Sequence, residues 1–179
     1  MNNKISWAIH FFAYYIAWIG CIILAGLDYE YLSAVLVLVI LFFQIAWQII
    51  HGFLWKAPIY YTLFLTFLGI ITDTLWLQMH LIDFNANPFS FHFAPLWMMS
   101  LWLSFGFNLI VLYQAFLKRY VTVGISSLVL IPVAYWLGIE LGAASILKEG
   151  RFFYLILGVT WAILLPFSLY VFLQIKDIQ

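Results

Sequence analysis

Charge is scarce in this chain. Only 8% of its 179 residues are Asp, Glu, Lys or Arg, against about 25% in ordinary soluble domains. A particle of this size cannot be coated with so little polar surface, so a water-soluble globular enzyme and a disordered chain are excluded. Acids and bases balance at 7 each, so there is no basic face for nucleic acid, which is not expected as a partner. Cysteine is limited to Cys21, which excludes an internal disulfide framework and any cysteine-cluster metal site. Also missing are a Gly-x-Ser-x-Gly elbow, a phosphate-binding P-loop, Gly-x-Gly-x-x-Gly and Ser-x-x-Lys. Nucleophilic hydrolysis and nucleotide-driven work therefore have no support, no cofactor is indicated, and whether the protein is an enzyme stays open.

What is present is apolar: 67% of the residues are hydrophobic and 21% aromatic. A membrane span needs roughly 20 such residues. Apolar runs separated by short polar spots predict an all-α, polytopic single domain of six transmembrane helices, at about 5–26, 32–52, 58–80, 94–117, 121–146 and 152–174. The run Ala34–Phe43 shows no alternation of polar and apolar residues, so helices are favoured over barrel strands. The first run is too long for a signal peptide, with only Lys4 before it and no small-x-small exit, and reads as a retained span. Short connections make successive helices antiparallel neighbours, and the two halves show no persuasive internal repeat.

Lys4, Lys56, Lys118, Arg119 and Lys176 fall on one side of such a bundle, against Lys148 and Arg151 on the other. The positive-inside rule then places both termini in the cytoplasm. Trp7, Tyr29, Tyr31, Trp55, Tyr60, Tyr61, Trp97, Tyr113 and Tyr120 near span ends suit interfacial belts. The longest connection, Leu81–Phe93, joins turn formers (Asn85, Asn87, Pro88) to four phenylalanines. It is expected outside, lying along the membrane surface or folded over the helix ends as a lid.

Ionisable side chains within a span are functional candidates. Asp73 in the third span and Glu140 in the fifth lie at matched depth, roughly 10 Å below the outer surface at 1.5 Å per residue. They suit a shared proton-linked or cation site; alternatively Asp73 is satisfied by nearby Thr and Trp donors, and Glu140 pairs with Lys148 or Arg151. Asp73, Trp76 and His80 share one helix face. Asp73, His80, His92 and Glu140 admit a metal site on paper, but no ligand motif supports one and no metal is expected. Nearer the inner end, His10, Gln44, Gln48, His51 and Asn108 are read as helix-to-helix hydrogen bonding, with haem ligation by His10 and His51 as the sharper alternative. Gly138-x-x-x-Gly142 with Ala143 is read as a helix-contact face, and Pro132 and Pro166 as kinks.

Three segments carry a resemblance: Gly69 and Asp73 in GIITDTLW; Pro95, Trp97, Leu101, Trp102 and Phe105 in APLWMMSLWLSF; and Pro132, Tyr135, Gly138, Leu141, Gly142 and Ala143 in PVAYWLGIELGA. Over roughly residues 69–143 the chain resembles DUF2878, a bacterial family of small membrane proteins of unknown function. The resemblance implies a multi-span inner-membrane protein with a connection to lipid, and draws attention to Asp73, Trp102 and Tyr135.

Three functions follow as expectations. The first is an outward-facing intramembrane pocket for a membrane lipid or other hydrophobic small molecule, anchored by Asp73, with Trp76, His80, Trp102, Tyr135 and Glu140 around it. The second is a small proton- or cation-coupled transporter or channel subunit using Asp73 and Glu140. The third is an accessory subunit packed against a membrane partner or a lipid-modifying enzyme. A short chain of this kind also admits a homo-oligomer.

Overall fold

The computed structural model describes residues 3–51, 56–112, 119–147 and 150–176. It contains α1 (Asn3–Gly26), α2 (Glu30–Ile50), α3 (Lys56–Gln78), β1 (Ile82–Phe84), α4 (Leu96–Leu112), α5 (Tyr120–Glu140), β2 (Ala144–Ile146) and α6 (Gly150–Lys176). Every helix except α4 is long and apolar enough to cross a membrane. The described part of α4 has 17 residues, about 25 Å at 1.5 Å per residue, and the rest of the expected fourth span lies outside the described residues. So do Gly52, Trp55, Tyr113, Lys118 and Lys148.

The distribution of polarity is that of a membrane-embedded protein. Phe42, Phe43 and Ile50 are 65%, 66% and 78% exposed, whereas His10, Asp73 and Ser168 are 0% exposed. A soluble monomer rarely leaves apolar patches of more than a few hundred Å² uncovered. Here the apolar side chains cover the outside of the helices and the polar ones are gathered within.

α1, α2 and α4 pack together, α3 lies against α4, α6 against α3, and α5 against α6. Reciprocal contacts lock α5 to α6. A proline inside a helix frees the carbonyl four residues before it. Pro132 thus frees that of Leu128, and Pro166 that of Ala162. Each freed carbonyl lies against a glycine of the opposite helix: a Cβ on Gly158 would stand 2.7 Å from the Leu128 oxygen, and one on Gly124 3.0 Å from the Ala162 oxygen. The repeated pattern is Gly124-ISSLVLI-Pro132 and Gly158-VTWAILL-Pro166.

Three helices end in the same way. Tyr29, Leu81 and Ala143 donate their backbone N–H groups to Leu24, Trp76 and Gly138, with Asp28, His80 and Gly142 at positive φ of 64°, 54° and 79°. These are Schellman closures, which satisfy carbonyls left without a partner at a helix end. They stop α3 at Gln78 and α5 at Glu140, short of the expected His80 and Ile146. Gly142 is therefore the terminating residue of α5, and from that position it lies against Gly26 at the end of α1. β1 and β2 follow the closures of α3 and α5 and pair antiparallel, with Asp83 opposite Ser145.

The long connection folds over the helix ends, the second of its two expected arrangements. Ile82 and Phe84 are buried. Asn85 donates its side-chain amide to the Gly142 carbonyl at 2.7 Å, the Ala86 N–H donates to Asp28 Oδ1 at 3.2 Å, and Gln78 donates to the His92 carbonyl at 3.1 Å. The Phe89 N–H donates to Asn87 Oδ1 at 3.0 Å, an Asx turn that shapes the tip.

Candidate functional site: an intramembrane cleft

Asp73 lies on α3, fully buried. Trp102 of α4 donates its indole N–H to Oδ2 at 2.7 Å, and the Tyr135 hydroxyl of α5 donates to Oδ1. A buried carboxylate is costly unless it is hydrogen-bonded, and two neutral donors from two other helices serve this one. Gly69, one turn before Asp73, makes the arrangement possible, because a Cβ there would overlap the Trp102 indole. Trp102 also stacks on Trp161 of α6 with ring centres 4.3 Å apart. Trp76 is buried and meets Tyr135 and Phe153 edge-on. Four helices thus converge on one carboxylate and its aromatic shell.

Tyr135 and Trp102 form the boundary between this shell and a cleft. α5 packs on α6, and between it and α1 and α4 the bundle is open. A cavity of about 420 Å³ runs there, walled by Tyr14 and Trp18 of α1, Phe105 and Leu109 of α4, and Ile131 and Ala134 of α5. It shares Tyr14, Trp18, Phe105, Ile131 and Ala134 with a second cavity of about 110 Å³ that reaches Tyr135, Trp102, Gly138 and Phe84. The two adjoin along these five residues and together make the cleft. Leu130 and Val133, both exposed, stand at its rim, so the cleft faces sideways toward lipid. Its narrow end is lined by Phe84 from β1 and by Trp97, whose indole donates to the Asn85 carbonyl at 2.9 Å. α1 meets the α5 closure there as well, with Gly26 against the Leu141 carbonyl.

Asp73, Trp76, Trp102 and Tyr135 are thus brought together, with Asp73 reaching the cleft through Trp102 and Tyr135. His80 is exposed beyond the end of α3, turned outward by its positive φ, with its ring 5.3 Å from that of Phe91. Glu140 is exposed at the last residue of α5, in electrostatic reach of Tyr154 on α6. Neither lines the cleft. Among the described residues, no three His, Cys, Asp or Glu side chains form a cluster able to hold a metal.

The second polar group joins α1, α2 and α4. Gln44 and Asn108 exchange side-chain amide bonds at 3.0 and 3.1 Å, Gln44 also donates to the His10 carbonyl at 3.1 Å, and Gln48 meets His10 Nε2 at 2.7 Å. His51 is exposed and bonds through Nδ1 to the Trp47 carbonyl of its own helix. The two imidazoles have different partners, and the network does the work of helix-to-helix hydrogen bonding.

Several cleft residues had no separate signal in the sequence. Tyr14, Trp18 and Phe84 are three among many aromatics. The cleft's rigid wall was detectable, because the Gly-x₇-Pro pattern occurs in both α5 and α6.

Neither the curated proteins nor the solved structures contain a match to this chain. The sequence profile described as "Protein of unknown function (DUF2878)" matches residues 7–167, well beyond the segment 69–143 that carries the resemblance. A match over this much of the chain, reaching from α1 into α6, shows that the protein belongs to the DUF2878 family.

Proposed function

We propose that the protein holds the hydrocarbon part of a membrane lipid, or of another hydrophobic small molecule, in the cleft between α5 and the α1–α4 pair. The observation that carries this reading is the cleft itself, two adjoining cavities, aromatic-walled and open sideways along a span. Small-molecule sites are concave and mostly apolar with few polar groups. In this reading Asp73 is a positioning residue: it holds Trp102 and Tyr135 in the cleft wall. The molecule comes in laterally from the bilayer, since the capping segment covers the end beside Tyr135.

The surroundings are proposed as well. Six spans with both termini in the cytoplasm of a bacterial inner membrane agree with the distribution of Lys and Arg. Cys21 is buried, so single cysteines placed elsewhere report topology without background. A cysteine at Asn87 should react with an impermeant thiol reagent added outside intact cells, and one at Lys118 should not. The reverse result overturns the orientation.

The ligand reading is tested by co-purification in mild detergent. Wild-type protein is expected to carry a bound hydrophobic molecule, and Ala134→Trp, which fills the cleft, to lose it. Transport coupled through Asp73 and Glu140 is the weaker reading, because Glu140 is exposed and away from the Asp73 hydrogen bonds.

A further inference from the structure

Gly138 lies within α5, where glycine costs about 1 kcal/mol relative to alanine. The usual compensation is a close neighbour that a methyl group would strike, as Gly124 and Gly158 have. Gly138 has none: a Cβ there would meet nothing within 4 Å, although the residue is buried. It borders the narrow end of the cleft, so the space beside it is cavity.

Three polar side chains of that end are engaged, while Tyr14 and Trp18 also border it and are shared with the wider part. The side chains that line it and not the wider part include three with N–H or O–H groups. Trp97 donates to the Asn85 carbonyl, and Trp102 and Tyr135 donate to Asp73. None of these hydrogens is left for a headgroup. The hydroxyls of Thr122 and Ser126 border the opposite, wider part. From Thr122 to Gly138 the helix rises about 24 Å at 1.5 Å per residue, most of a hydrocarbon core of about 30 Å.

From this geometry we infer that the narrow end receives the terminus of a single linear hydrocarbon chain, and that Gly138 sets the chain length accepted. The polar end of that molecule lies toward Thr122 and Ser126. The inference rests on the proposed lipid-holding function and adds the ligand's shape and direction. A charged headgroup at the narrow end, beyond Tyr14 and Trp18, would face apolar atoms and the three engaged donors of Trp97, Trp102 and Tyr135.

The test compares the chains extracted from wild type, Gly138→Ala and Gly138→Leu, purified from the same cells in the same detergent and identified by mass spectrometry. Gly138→Leu should shift the bound population toward shorter chains, with about a fourfold loss of affinity for each methylene expelled. Gly138→Ala should shift it the same way by less, and it serves as the reading if the leucine variant does not fold. Wild type that carries chains whose length distribution neither variant changes overturns the role of Gly138 and leaves the ligand reading standing. Wild type without any bound chain overturns both.

Discussion

Asp73 shows how much one side chain can organise. Its two oxygens tie α3 to α4 and α5 through Trp102 and Tyr135, and the Tyr135 bond is a side-chain tie from the cleft-facing helix to the opposite side of the bundle. Removing one partner leaves a buried group unsatisfied, at about 1–3 kcal/mol. Tyr135→Phe should therefore lower the unfolding midpoint in detergent, and Asp73→Asn should do so by a similar amount. Because both act on one hydrogen bond, the double variant should be less destabilised than the sum of the two. Strict additivity would show that the pair is not coupled. Asp73 was legible as a candidate from the sequence, since an acid inside an apolar run stands out. Its partners came from the family resemblance, because neither Trp102 nor Tyr135 is distinctive among so many aromatic residues. Glu140 and His80 looked equally suitable by depth and spacing. They lie outside the site because Schellman closures end α3 before His80 and end α5 at Glu140. A left-handed histidine at a helix end has no hydropathy signature.

The cleft depends at the element scale on α5 standing away from α1 and α4 while held firmly elsewhere. The proline–glycine exchange with α6 supplies the firmness. Gly158→Ala would place a methyl group 2.7 Å from the Leu128 oxygen, and overpacking of this kind costs about 1–3 kcal/mol. Gly138→Ala meets nothing and should be neutral, or stabilising by up to about 1 kcal/mol from helix propensity. Melting temperatures of the two variants should move in opposite directions, or only that of Gly158→Ala should fall. Equal losses would contradict the difference in packing. The helices themselves were legible from uninterrupted apolar runs of sufficient length. Their partners were not, because hydropathy says that a helix is in the membrane and nothing of which face meets protein. The short β1–β2 pair escaped notice for a related reason: three residues of strand form no measurable alternation.

For the whole molecule, polarity is inverted relative to a soluble protein. Amides and histidine from α1, α2 and α4 bond to one another inside one half, α5 and α6 interlock in the other, and α3 with Asp73 lies between them. The open seam between α1–α4 and α5 is where the interior is accessible from lipid. Beside its narrow end, segments far apart in sequence are tied together: the Asp28 turn, β1 and its loop, and the Gly142 turn. Folding of Leu81–Phe93 over the helix ends was one of two arrangements its phenylalanines suggested, but they did not suggest that it would border one end of a lateral cleft. That follows only from the pairing of β1 with β2, a long-range contact. An occupied seam would also complete the packing of α5, which otherwise presents much of its length to lipid.

The most direct measurement is native mass spectrometry of the wild-type protein beside Ala134→Trp in one mild detergent. The account predicts a stoichiometric hydrophobic adduct on the wild type that is absent from a folded Ala134→Trp protein. Bare wild-type protein, or an adduct carried equally by the folded variant, would contradict it.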